Sequence, residues 1–381
     1  MTAAPELLAI PMVATSSIDI YSGVARRAGK LWAGRRRASP ALGRTAVAFL
    51  HPSSNFIGHY MLEPLSRRGV DAIGINTRYL ANDSALIMEN CVLDVGSVVR
   101  FLRSEGYERV VLVGNSGGGG LAALYQSQAE SADIRSTPAG DPPDLTEADL
   151  PPVDGLIEFM AHPGRALTLT DWLDPAIIDE TDPFWRDRSL DMFEAGNGPP
   201  YSTEFISRYR EGQLQRNRRI TSWVKGRLAF LERSTGEAVR DLPFVVHGTC
   251  ADPRFLDLSL DPSDREVGSL WGPAQAANFS PATLGHLTSL RSWLSQWSID
   301  DTNCDGVRHL SRISVPALVM YGTADQSCPP AESRRLFDAV THPRKDLVEI
   351  RGGHHYFDGQ PDLIEEAADR LVTWLEKEDL K

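Results

Sequence analysis

Residues 110–120 read VVLVGNSGGGG. Four apolar residues, Val110 to Val113, lead into Gly114-Asn115-Ser116, and four glycines follow at 117–120. Ordering a glycine costs more conformational entropy than ordering any other residue. Their concentration around one serine therefore predicts a backbone path that a Cβ would block. Gly114–Gly118 fits G-x-S-x-G, the nucleophile elbow, where a serine sits on a sharp strand-to-helix turn. The positions two before and two after the serine, Gly114 and Gly118, must lack bulk. The Gly117 N–H is the candidate donor to a developing oxyanion. Gly119 and Gly120 allow the helix that follows (LAALYQSQ) to approach the sheet closely.

G-x-S-x-G alone is a common chance match, and its context carries the weight: an apolar β-like run before it and a helical pattern after it. Gly117–Ala122 also matches G-x-G-x-x-A, the dinucleotide fingerprint. That reading needs an acidic residue at the end of a second strand some 20 residues on, but the chain there reads SADIRSTPAGDPPD. No G-K-[ST] follows, which excludes a phosphate-binding P-loop. A purely structural glycine-rich turn is the plain alternative.

A serine hydroxyl needs a base within hydrogen-bond reach, and the base needs an orienting group. The acid candidate is Asp325 in VMYGTADQSCPP, just past the apolar run Ala317–Tyr321. Active-site residues of open α/β sheets gather at that end of the strands; the plain alternative is a turn aspartate. Glu158 and Asp171 are the reserves. The base candidates are the adjacent His354 and His355 in EIRGGHHYFDGQ. No H-E-x-x-H or H-x-H spacing occurs, so no metal site is expected. The second oxyanion donor is expected in FLHPSSNF, at the N–H of Ser53 or its neighbour Ser54, since Pro52 has none.

Working outward, Thr45–Leu50, Ala72–Ile75, Val110–Val113 and Gly155–Ala161 read as buried strands, with a helix over Ser84–Tyr107. Ala317–Tyr321 and Leu347–Ile350 read as later strands, and Asp362–Glu378 as a closing helix. Strand–helix–strand at this spacing predicts a parallel sheet with crossover helices. The alternation breaks between about 166 and 309. That stretch holds a long amphipathic helix near Thr203–Glu232 and six of the eight tryptophans: Trp172, Trp185, Trp223, Trp271, Trp293 and Trp297. It predicts a cap between core segments 1–165 and 310–381, its tryptophans forming either a pocket wall or the cap's own core.

The chain has 381 residues and a net charge of −12. An acidic surface repels phosphate backbones, so nucleic acid is not an expected partner. The four cysteines are widely spaced, which predicts reduced, buried thiols. The N-terminal stretch lacks a basic n-region, and no apolar run reaches membrane-spanning length, so a cytoplasmic location with no membrane partner is expected.

The blocks VGNSGG, VPALVMYGTADQSCPP and IRGGHHYFDGQP, in this order, resemble the α/β-hydrolase superfamily over about residues 40–165 and 310–381. The resemblance implies a mostly parallel central sheet with helices on both faces and an inserted, largely helical cap. It implies a Ser116-His355-Asp325 triad, favouring His355 over His354, and no cofactor. The chain departs from the family at His51-Pro52-Ser53, where members often carry His-Gly-Gly. The implied activity is hydrolysis of a carboxylic ester or lactone through an acyl-enzyme. A C–C hydrolase, amidase or acyltransferase would use the same triad, and a non-catalytic binding protein could share the fold. The tryptophan-bearing cap leads to an expectation of a bulky, partly apolar substrate. His51, Asn115, Trp172, Trp293 and His354 are the candidate substrate-binding residues.

Overall fold

The protein is described here by a computed structural model covering residues 4–13, 19–21, 24–26, 29–236, 238–281 and 283–381. Eight strands form the central sheet: β1 Glu6–Pro11, β2 Lys30–Arg36, β3 Thr45–Leu50, β4 Asp71–Ile75, β5 Arg109–Ser116, β6 Gly155–Ala161, β7 Ala317–Gly322 and β8 Lys345–Ile350. Across the sheet they run β1-β2-β4-β3-β5-β6-β7-β8. The pairs β1–β2 and β2–β4 are antiparallel; all others are parallel.

Side chains alternate across each strand, so each buried strand supplies two cores. In β3, Ala46, Ala48 and Leu50 face one layer while Val47 and Phe49 face the other. The first layer contains α2 (Met88–Glu105), α3 (Gly118–Glu130) and the helix Pro330–Ala339. The second contains α1 (Leu62–Arg67) and the closing helix Pro361–Lys377, through Leu62, Leu65, Ala367, Leu371 and Leu375. Helices thus cover both faces of a mostly parallel sheet.

The sequence reading places no strand before Thr45, yet β1 and β2 lie there. β2 (KLWAGRR) carries three basic residues and exposes Lys30 and Trp32, so it lacks the continuous apolar run of a central strand. Such charge suits strands near a sheet edge, where it discourages pairing with other chains.

Between β6 and β7 the chain makes its long excursion. α4 (Arg165–Trp172) and α5 (Thr203–Thr235) are its main helices. Ser202 caps α5 by accepting the Phe205 N–H at 3.1 Å,. Two short antiparallel ladders, Ile177–Asp179 with Asp182–Arg186 and Pro243–Val245 with Leu287–Ser289, join loops and single turns around them. The excursion has an apolar core of its own, centred on Ile220, Val224, Trp293 and Trp297. All four cysteines are buried and unpaired. Among the described residues no helix is long and apolar enough to cross a membrane.

Candidate active site

The site lies where the parallel strands end. β3 runs into His51, β5 ends on Ser116, β6 runs into His162, and the loops after β7 and β8 carry Asp325 and His355. Ser116 has φ +56°, a left-handed conformation that is costly for a side-chain-bearing residue and that marks a tight functional turn,. The glycines make the turn possible. A Cβ at Gly114 would lie 2.6 Å from the Gly118 carbonyl, and one at Gly118 would collide with the Leu50 carbonyl.

Three side chains form a hydrogen-bonded chain. Ser116 Oγ is 3.0 Å from His355 Nε2, and His355 Nδ1 is 2.8 Å from Asp325 Oδ2. The other carboxylate oxygen accepts the N–H groups of Ser327 and Cys328, both at 2.8 Å. Those two bonds fix the carboxylate and leave Oδ2 for the imidazole. A carboxylate on Nδ1 keeps the proton there, so Nε2 is bare and able to accept the serine proton.

A cavity of about 250 Å³ opens beside Ser116; it is walled by His51, His162 and Arg165 from below and by Trp172, Trp271 and Leu284 from the cap. His162 and Arg165 carry no motif and escape sequence reading. The only available signal is their position immediately after the strand next to the elbow.

The Ser53 N–H, expected to be the second oxyanion donor, is otherwise engaged. It donates to His51 Nδ1 at 3.1 Å, and the Ser54 N–H donates to the same nitrogen at 2.8 Å. The turn that Pro52 enters wraps both backbone donors around the His51 ring. Burial, followed by the nearby charge of Arg165, holds the His51 imidazole well below its ordinary pKa, so the ring is neutral. With Nδ1 accepting, its proton sits on Nε2. His162 repeats the arrangement: Nδ1 accepts the Gly164 N–H at 3.2 Å, and burial followed by the Arg165 charge pushes its pKa down to about 3.

The remaining candidates divide. Trp172 lines the cavity and packs edge-on against Phe255 and Trp271. Asn115 does not line it: it is fully buried, its amide donating to the Phe159 carbonyl at 2.8 Å and its Oδ1 lying 3.1 Å from His59 Nε2. Alternation along β5 turns its side chain away from the serine's face. Trp293 is buried in the cap core, its indole N–H bonded to Thr221 Oγ1 at 2.8 Å. His354 is exposed, its backbone N–H donating to Gln360 and its carbonyl accepting the Phe357 N–H. Of the reserve acids, Glu158 is buried under the elbow, where a Cβ on Gly119 would strike it, and Asp171 faces Arg210 and Arg254 in the cap.

Asp325, Cys328 and His355 offer three possible metal-ligand atoms within 4.8 Å of one another. The donor set is ill suited to an ion. His355 Nδ1 and Asp325 Oδ2 already bond each other, and burial raises the Cys328 thiol well above its ordinary pKa, so it stays protonated,.

No family model matches the chain, and no curated protein sequence is similar to it. Solved structures are similar. The α/β hydrolase GrgF from Penicillium sp. sh18 superposes with a TM-score of 0.51 at 13% identity, covering 99% of each chain. DcsB, solved in complex with its substrate analogue, gives a TM-score of 0.51 at 11% identity, over 98% of this chain and 99% of its own. With this strand order, the serine on its elbow and these structural neighbours, the chain has the α/β-hydrolase fold.

Proposed function

We propose that the protein is a serine hydrolase that cleaves a carboxylic ester or lactone through an acyl-enzyme. One observation carries this reading: the unbroken chain from Ser116 Oγ through His355 to Asp325, at 3.0 and 2.8 Å, at the mouth of a cavity. Ser116 Oγ attacks the carbonyl carbon while its proton moves to His355 Nε2. Asp325 holds the ring in place and stabilises the imidazolium. The oxyanion is held by the Gly117 N–H, at the positive end of the 13-residue helix α3, together with a second donor,. His355 then protonates the leaving alcohol. A water molecule, deprotonated by the same nitrogen, attacks the acyl carbon, releases the acid and restores the serine.

The second donor proposed is His51 Nε2–H, because the Ser53 and Ser54 N–H groups are occupied by that same ring. The size of the cavity, about 250 Å³, supports a compact acyl group in place of the bulky one expected from the cap. Of the cap's six tryptophans only Trp172 and Trp271 line it; Trp293 and Trp297 are cap core.

The test is a pre-steady-state assay with p-nitrophenyl acetate. A burst of p-nitrophenol equal to the enzyme concentration, absent in Ser116→Ala, is the expected result. A burst that survives in Ser116→Ala would overturn the assignment.

A further inference from the structure

The most unusual feature beyond the triad is a group of N–H donors with nothing to bond. A methyl group placed on Gly117 would lie 3.0 Å from His51 Nε2, 3.4 Å from His162 Nε2 and 3.5 Å from Arg165 Nε. In both rings the backbone N–H groups on Nδ1 put the proton on Nε2. Arg165 is 2% exposed; its Nη1 pairs with Asp83 at 2.7 Å and its Nη2 donates to Ser53 Oγ at 2.8 Å. Its Nε is buried and, among the described residues, has no hydrogen-bond partner. Nor do His51 Nε2 and His162 Nε2 have an acceptor among them. All three side chains line the cavity that holds Ser116.

Arg165 Nε is the buried one, and a buried donor left unpaired costs about 1–3 kcal/mol; beside it the two ring N–H groups open on the cavity, so the three together mark a place prepared for acceptors. One carbonyl oxygen has two lone pairs. It can use the Gly117 N–H and one of these three, which leaves two donors unserved. A carboxylate offers about four acceptor positions on two oxygens. The Arg165 charge reaches both rings and, after burial, is a cause of their lowered basicity; its partner Asp83 lines the same cavity.

We propose that the acyl group carries a carboxylate close to the scissile carbonyl, as in a half-ester of a short dicarboxylic acid, and that Arg165 and His162 hold it while His51 serves the oxyanion. This deepens the hydrolase reading and rests on it. Arg165 and His162 are then specificity-determining residues, and their effect falls on binding more than on chemistry.

The experiment follows the rate at which a fluorophosphonate labels Ser116, with malonate or succinate present as competitor and the near-isosteric neutral diamides malonamide and succinamide as controls. The expected result is at least fivefold slower labelling with the dicarboxylates at millimolar concentration, little change with the neutral compounds, and loss of the protection in Arg165→Met. Equal labelling with and without dicarboxylate would overturn the proposal. Arg165→Met also loses the contacts to Asp83 and Ser53. His162→Phe, which breaks no ion pair, is therefore the second variant, and weakened protection is expected there too. If Ser116 is not labelled at all, the hydrolase reading falls. The carboxylate site is then read by the melting temperature of the wild-type protein: a rise with succinate but not with its neutral analogue supports the site, and no rise overturns it.

Discussion

His355, bonded to Ser116, and the pair His51 and His162, which line the cavity beside that serine, are wired in opposite ways. His355 Nδ1 faces a carboxylate at 2.8 Å, so its proton is on Nδ1 and Nε2 is a base. His51 Nδ1 and His162 Nδ1 face backbone N–H groups at 2.8–3.2 Å, so their protons are on Nε2 and both rings are donors. One residue type thus plays two roles, set by the partner behind the ring. In the proposed reaction the base side works on the serine proton, and the donor side on the negative charge that appears when that proton leaves.

The largest expected effect comes from erasing the difference. Asp325→Asn replaces the acceptor behind His355 with a group that can donate, favouring the tautomer of His51. The expected loss in kcat is about 10⁴-fold, read by steady-state hydrolysis, with the melting temperature checked to show that the fold survives. A loss under tenfold would break the comparison.

Glu158 sharpens it from beneath. Burial without a hydrogen-bond partner pushes its carboxyl from 4.5 up to about 8. Between those values the folded protein holds a proton that the unfolded chain has released, so stability falls as pH rises through that window. At pH 7 this costs roughly 3 kcal/mol. Glu158→Gln is expected to raise the melting temperature more at pH 8 than at pH 5. An equal shift at both would show that the carboxyl does not titrate in that window.

His51→Ala removes one donor and frees the Ser53 and Ser54 N–H groups. A fall in kcat of about 10²-fold is expected if Nε2–H serves the oxyanion. Activity kept or raised would return that role to Ser53. The smallest effect is expected at His354. His354→Ala, on the exposed neighbour of the base, should leave kcat within twofold and stability within about 0.5 kcal/mol. A large loss in kcat would mean that the loop after β8 positions the wrong histidine.

How much of this the sequence carries depends on the kind of signal. The elbow is legible because Gly114 and Gly118 are required by steric contacts only a few residues away. The buried strands are legible because continuous apolar runs such as TAVAFL have few other uses. β1 and β2 are not, since half of β1 and the start of β2 face outward and charge interrupts the apolar pattern. Asn115 misleads because adjacency in a strand places a neighbour on the opposite face. Trp293 misleads because a large aromatic serves a cap core as well as a pocket wall. Arg165 and His162 are invisible because their meaning lies in hydrogen bonds to Nδ1 and in an unpaired Nε, neither of which leaves a spacing in the chain.

The most direct test of the central claim is to treat the purified protein with a fluorophosphonate and map the adduct by mass spectrometry. The account predicts a single adduct on Ser116, formed quickly in the wild type and far more slowly in His355→Ala. A folded protein that takes no adduct, or takes it at another serine, would contradict it.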